Sequence, residues 1–436
     1  MRELVLIQPE RMLEGLTERE AGEARASREF EDGSRNAGQP CLHLIVPCII
    51  PAVCRELRRQ TTMEPIVKLV CGLVLLAAVS APSPSQAPAE RAPEVKAGVD
   101  GVLGLFEQKP VVVLCDQHGL AQEEDFYSTL VRDPRFAENV GNVIVEFGGE
   151  ASQGIIDRYV AGEDVPLKEL RRVWTQTAGW VPGPTSLGYI NFFANVRAAN
   201  RGLAPEHRIK VWLGEPKVDW SKIETFQDIL PFLLQRDDNY FRIIRDEILL
   251  KHKKTLLIIG IGHIFGQAKL RTKVVQAYPN TLATVVPFTG YIEPDCNAKF
   301  VARTKDWPIQ AILAPVAGTW LKSQLQLPGC NFVPTETIAR IKATPAEKLP
   351  PNGASVEERI HRVVSMESGE EADAILYLGP PDTLTESPND PAIYLDAEYY
   401  KEMDRRLRCC MVPGSQRPLD WDGILQPVAP MKYTRF

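Results

Sequence analysis

From about Val95 onward the chain alternates short, continuously apolar runs with longer stretches whose apolar residues fall on one helical face. The runs are Val111–Cys115, Val143–Phe147, Ile209–Leu213, Thr255–Ile259, Ala283–Pro287, Ala311–Ala314 and Ala374–Leu378. Most are rich in Val and Ile with no polar alternation, the pattern of strands buried on both faces of a sheet. Between them, Phe226, Ile229, Leu230, Leu233 and Leu234 repeat at i, i+3, i+4, i+7 and i+8, one apolar stripe along a helix. Phe241, Ile244 and Ile248 carry that helix on toward Lys251, with Pro231 as the place where it would bend or break. Strand–helix alternation at this spacing predicts parallel βαβ units in an α/β, doubly wound, mostly parallel sheet with helices on both faces. Thr335 to Ser368 has little pattern and reads as a flexible insertion or lid. No short-period repeat is visible, which excludes a solenoid.

The N-terminal part is different. Residues 1–62 are rich in Arg and Glu, without a sustained period, and read as upstream sequence translated by mistake or as a disordered extension. Met63 is followed by Lys68, an apolar run from Leu69 to Val79, and small residues with prolines to Ala87. That is the layout of a secretory signal peptide over 63–87, with Met63 as the expected start. The alternative is a genuine N-terminal extension with an internal hydrophobic segment. The run is too short for a membrane span, which needs ~20 apolar residues, and Lys68-Leu69-Val70 before Cys71 is a poor lipoprotein box. The expectation is an exported protein, periplasmic or secreted, with no membrane span in its mature form, a linker over 88–94, and an α/β domain over 95–436.

Composition narrows the partners. With 436 residues, 44% hydrophobic and 24% charged, the chain has the balance of a globular protein, and a net charge of −6 offers no broad attraction to nucleic acid. Beyond the signal segment five cysteines remain, Cys115, Cys296, Cys330, Cys409 and Cys410, with no C-x-x-C pair. They give no disulfide framework by spacing, though one bridge between Cys296 and Cys330 is compatible with an oxidising compartment.

In doubly wound sheets the ligand crevice lies beyond the carboxyl ends of the strands. The residues just after the apolar runs are Asp116-Gln117-His118-Gly119, Glu146-Phe147-Gly148-Gly149, Gly214-Glu215, Gly260-Ile261-Gly262-His263, Thr289-Gly290-Tyr291, Gly318-Thr319 and Gly379-Pro380. His118 and His263 occupy equivalent positions, and imidazoles there can relay protons or ligate a metal; alternatively, each is a turn residue bonded to a neighbouring carbonyl. Glu146 ends a strand expected to be interior, so its carboxylate must be paired, ligate a metal, or carry a raised pKa. Asp116 either joins it or caps the next helix. Arg236, four residues before Tyr240 on one helix face, would clamp a substrate carboxylate or phosphate, or else form an internal ion pair holding the helix to the sheet. The turn Gly260 to Gly266 resembles a dinucleotide-binding glycine loop, but the next strand ends in Thr289 without the expected acid. A G-x-S-x-G nucleophile elbow is absent.

In this order, the strand ending in His118-Gly119, the run closing on Glu146, Arg236-Asp237 on a long helix and Gly260-Ile-Gly-His263 resemble the ChaN-like, Tiki and erythromycin-esterase superfamily over roughly Val111 to Leu378. Gln153, Asp157-Arg158-Tyr159, Trp174, Asp219-Trp220, Gly318-Thr319-Trp320-Leu321 and Ala372 to Gly379 resemble an uncharacterised exported bacterial branch of it. Hydrolytic members carry a Gly-Glu-x-x-His loop where this chain has Cys115-Asp116-Gln117-His118.

The resemblance implies two functions. The first is a hydrolase acting on an ester or amide of a small molecule or peptide. In it His118 takes a proton from water, Glu146 orients it or shares a divalent metal, His263 serves the leaving group and Arg236 holds the substrate. Asp116, His118, Glu146 and His263 are the metal-ligand candidates. The second is a non-catalytic protein binding haem or another ligand through His118, His263 or Tyr291. A pseudo-enzyme is the remaining option, given the altered first loop.

Overall fold

The computed structural model describes residues 90–179, 186–265, 270–343 and 355–410. The expected extension over 1–62, the signal segment over 63–87 and Gly266 of the glycine turn lie outside the described residues.

Each apolar run is a strand. After β1 (Glu94–Ala97), which has no strong signal in the sequence, come β2 (Val111–Asp116), β3 (Asn142–Gly149), β4 (Lys210–Glu215), β5 (Thr255–Gly260), β6 (Leu282–Phe288), β7 (Ala311–Ala314) and β8 (Ala374–Tyr377). They form one sheet in the order β1-β7-β8-β6-β2-β5-β3-β4. The pairs from β8 through β6, β2, β5 and β3 to β4 are all parallel, whereas β7 is antiparallel to both β8 and β1. The protein is therefore α/β with a mostly parallel sheet. Its edge at β1 departs from the pure βαβ pattern and begins inside the segment expected to be linker. There Arg91 bridges Thr319 and Glu94 opens β1.

The helices of two turns or more are α1 (Gly98–Leu105), α2 (Ala121–Arg132), α3 (Gln153–Val160), α4 (Leu187–Asn200), α5 (Phe226–Ile243), α6 (Leu270–Ala277), α7 (Pro294–Thr304), α8 (Thr335–Lys342), α9 (Val356–Ser368) and α10 (Ala397–Cys410). Alternate strand residues feed two separate cores, because successive side chains point to opposite faces. Val112, Leu114, Val143, Val145, Leu256 and Ile258 pack with Phe126 and Leu130 of α2 and Phe192, Phe193 and Val196 of α4. Val111, Val113, Ile144, Leu257 and Ile259 pack with Tyr240 and Ile243 of α5, Leu270 of α6 and Phe300 of α7. Strands buried on both faces have little use for polar alternation, which explains the unbroken apolar runs.

Two local expectations are corrected. Pro231 does not end α5, which runs through it from the Thr225–Asp228 capping box and continues into a π-turn, Ile244–Ile248. The stretch from Thr335 to Ser368 holds α8 and α9 rather than a patternless insertion, and α9 is set by its own ends. Ser355 and Glu358 form a reciprocal cap, and Gly369 closes the helix in the left-handed conformation. The Cys296–Cys330 bridge is formed, and Cys409 is bonded to its neighbour Cys410, a pairing the spacing did not suggest; Cys115 is free and buried.

Candidate functional site

Because β2, β5, β3 and β4 are adjacent and parallel, their carboxyl ends open on one side. The residues leaving them meet there. Glu146 is at the centre. It follows Val145, the last residue of β3 in regular register with β5, and lies where pairing with β4 shifts before Gly149. Such irregularities re-aim side chains at strand ends. One carboxylate oxygen of Glu146 accepts the backbone N–H of Gly260 at the end of β5, and the other accepts Nη2 of Arg236. His263, one turn past β5, places Nε2 3.5 Å from the Arg236-bound oxygen.

Both imidazoles are backed by an aspartate. His118 Nδ1 lies 2.6 Å from Asp116 Oδ2, and His263 Nδ1 lies 2.5 Å from Asp237 Oδ1. A carboxylate only accepts, so each Nδ1 donates and each Nε2 is on the opposite side of its ring. Asp116 is itself fixed by two phenols. Tyr127 of α2 donates to Oδ1 at 2.8 Å and Tyr189 of α4 to Oδ2 at 2.5 Å. Burial and the charge of Asp116 hold both phenols well above their usual range, so they remain donors. Leu120, not Asp116, is the N-cap of α2. The capping role considered for Asp116 is therefore not the one it has.

On the far side of Glu146, Arg236 Nε donates to Glu215 Oε1 at 2.6 Å. Glu215 is fully buried and completely satisfied: Tyr240 donates to the same oxygen at 2.5 Å, and the backbone N–H groups of Ala178 and Gly179 donate to Oε2 at 2.9 and 2.7 Å. Arg236 thus bridges two buried carboxylates. Of the two roles considered for it, the ion pair holding helix to sheet is present. The guanidinium presents Nε and Nη2 to Glu215 and Glu146 rather than to a ligand.

Electrostatics follow from this wiring. Burial alone would raise Glu146, but Arg236, the His263 hydrogen bond and the charges of both imidazoles outweigh it and hold the carboxyl well below its usual range. Burial would lower His118, yet Asp116, by charge and hydrogen bond, and Glu146 bring it above its usual value. Burial and Arg236 oppose the charge on His263, and the bonds to Asp237 and Glu146 prevail, raising it to about 9. His118 keeps 22% of its side-chain surface exposed against 9% for His263 and 4% for Glu146, so of these three side chains His118 is the one most open to solvent.

Close approach at the floor requires glycine. A Cβ on Gly260 would stand 2.8 Å from His118 Nε2, closer than real Cβ atoms come, and 3.1 Å from Glu146 Oε2, tight enough that the carboxylate would have to give way. On Gly179 it would collide with the Arg236 guanidinium.

The structure brings together His118, Glu146, His263, Arg236 and Asp116. It leaves Tyr291 elsewhere: its ring packs among Phe288, Phe300 and Phe332, its hydroxyl donates to the Gln324 carbonyl at 2.8 Å, and none of these belongs to the site. Four-ligand metal binding by Asp116, His118, Glu146 and His263 does not fit. Asp116 faces the back of the His118 ring with both oxygens taken, and both Glu146 oxygens already accept. Among the described residues, the group whose ligand atoms cluster within 4.8 Å is His361, Glu370 and Glu371. Sequence reasoning named Asp237 and Glu215 without giving them a role, and it missed Tyr127 and Tyr189 altogether. Asp237 stands beside Arg236 and Glu215 stands at a strand exit, whereas Tyr127 and Tyr189 had no signal, since each reads as an aromatic of an apolar helix face.

Fold and site together define an α/β protein with a buried acid–base network at the carboxyl end of a parallel sheet. No family model and no curated protein matches the chain. Among solved structures, a Bacillus cereus protein is similar at 11% identity, over 54% of this chain and 86% of that one, with a TM-score of 0.34. The type III effector HopBA1 is similar at 13% identity, over 47% and 89%, with a TM-score of 0.30. Among the described residues no helix is long and apolar enough to cross a membrane.

Proposed function

We propose that the protein is an exported hydrolase acting on an ester or amide by paired-imidazole acid–base catalysis. We also propose that it is a divergent member of the ChaN-like, Tiki and erythromycin-esterase superfamily. The observation that carries the first reading is the placement of two His–Asp pairs on one ionised carboxylate, both imidazoles held above their ordinary range by the acids around them.

His118, with Nδ1–H held by Asp116, is the base and accepts a proton from water at Nε2. The water oxygen bonds to the carbonyl carbon, and the bond to the leaving oxygen or nitrogen breaks. His263, cationic at neutral pH, donates its proton to that leaving atom. Glu146, ionised between them, stabilises both cationic states. The proton gained by His118 balances the one lost by His263, and exchange with solvent restores the pair. Arg236 holds Glu146 rather than the substrate.

The test is a panel of chromogenic esters and peptides with the purified chain. Turnover should fall at least ~100-fold in His118→Ala and in His263→Ala, the usual size of a general acid or base contribution. The rate should rise with pH as His118, held above its usual range by Asp116 and Glu146, gives up its proton, and should fall as His263 deprotonates near 9. Turnover unchanged in both variants would end this reading.

A further inference from the structure

Away from this site, the short helix Arg172–Thr175 and α10 face each other across a cleft of about 180 Å³. Two arginines on its walls are buried, Arg171 at 8% exposure and Arg406 at 6%. Arg171 donates from Nη1 to Asp396 Oδ2 at 2.7 Å and lies 4.1 Å over the Tyr399 ring. Its Nε–H is buried and has no acceptor among the described residues. A buried donor without a partner loses its water and gains nothing in exchange.

The charge around it is also undercompensated. Arg406 donates to Glu402 Oε1 at 2.7 Å and to the Thr175 carbonyl, but Glu402 is shared with Arg405, which reaches both of its oxygens at 2.8 Å. Burial accordingly pushes Arg406 below its usual range despite that partner. Lys168 is matched by Glu398 at 2.7 Å. Arg172, exposed at the same cleft, has no ion-pair partner among the described residues. Four cations (Lys168, Arg171, Arg172, Arg406) against three carboxylates (Asp396, Glu398, Glu402) leave one positive charge on the lining.

We propose that this cleft binds a small oxyanion of the phosphate class, anchored on the Arg171 Nε–H and the Arg172 guanidinium. An oxyanion fits because it supplies the missing acceptor and the missing negative charge together. Guanidinium groups match such oxygens with directed N–H bonds that an ammonium does not reproduce. The cleft volume suits a phosphate or the phosphate end of a small ester. Its occupant would join Arg172–Thr175 to α10, next to the segment whose Ala178 and Gly179 N–H groups hold Glu215.

The experiment uses the full chain, titrated calorimetrically with inorganic phosphate against chloride at matched ionic strength, with thermal unfolding in parallel. Binding should be saturable with a dissociation constant of ~1 mM or tighter, and the midpoint of unfolding should rise with phosphate as linkage requires. Arg171→Lys, which keeps the charge but removes Nε–H, should weaken binding about tenfold. Arg172→Gln, exposed and harmless to folding, should weaken it severalfold, while Arg158→Gln, an exposed arginine outside the cleft lining, should change nothing. Linear, unsaturable heats in the natural chain would overturn the proposal. So would phosphate affinity unchanged in Arg172→Gln, which would leave a water as the partner of Arg171. Neither outcome bears on the acid–base site, which has its own assay.

Discussion

The imidazole of His263 shows how one side chain's surroundings become a property of the whole protein. Its folded pKa of about 9 stands above the ~6.5 of an unfolded chain. The folded state therefore holds the proton more tightly. This contribution to stability is fully present below pH ~6.5 and is lost as pH rises through about 9. Asp237→Asn removes one of the bonds that raise it. NMR titration of the His263 ring should then show a lower value, and unfolding measured between pH 6 and 9 should lose part of its slope. An unchanged ring titration would mean that Asp237 does not set the charge of His263. Gly260 imposes a different kind of constraint, one of space. Gly260→Ala puts a methyl against His118 Nε2 and Glu146 Oε2, so His118 must turn away or the strand end must shift. The expected cost is ~1–3 kcal/mol, measured by denaturant unfolding, together with loss of the His118–Asp116 bond seen as a changed His118 titration.

At the scale of elements, the site is a way of fastening α5 to the sheet. Arg236 projects from α5 between Glu146 of β3 and Glu215 of β4, all three almost wholly buried. Such a chain is favourable only while complete, because any member removed leaves a charge without its partner. Arg236→Met should cost ~3–5 kcal/mol in urea unfolding. Glu146 should then titrate far closer to the ordinary carboxylate range, since its principal opposing charge is gone. A variant as stable as the natural chain would show that the two carboxylates are hydrated or protonated rather than paired. The strands were legible for the same reason that the site is buried. Strands covered on both faces are apolar on both, so β2 to β8 stand out as apolar runs, and the exits of β2, β3 and β5 point to His118, Glu146 and His263. The edge strand β1 has no such run, since only one neighbour and little core lie against it; Glu94 falls in the stretch read as linker, and the exposed Lys96 and Ala97 make no apolar pattern. Helices α8 and α9 were missed because an apolar stripe was sought, whereas α9 is announced by its Ser355-x-x-Glu358 cap and Gly369 stop. Contacts of long sequence separation left no trace at all. Nothing in the local pattern of Tyr189 says that its hydroxyl meets Asp116, 73 residues earlier.

Across the whole molecule, the sheet has a parallel half that carries the chemistry and a margin where β7 runs against its neighbours. That margin has fewer strands to hold it and is fastened by other means. Arg91 pairs with Thr319, β1 covers β7, and the bond between Cys296 on α7 and Cys330 closes a span of 34 residues that contains all of β7. A cross-link of that span limits the unfolded chain by roughly 3–4 kcal/mol in the loop-entropy account. The double variant Cys296→Ala/Cys330→Ala should lose about that much stability in guanidinium unfolding, as should the natural chain after reduction. The loss should not be uniform. Local opening follows the elements a constraint holds, so amide exchange should quicken in β7, β1 and α7, while Ile258, Ile259 and Gly260 in β5 keep their protection. Because β5 is separated from β7 by β2, β6 and β8, the titrations of His118 and His263 should also be unchanged. If exchange instead rose evenly from β7 to β4, the sheet would open as one cooperative body, and the margin could not yield without disturbing the residues around Glu146.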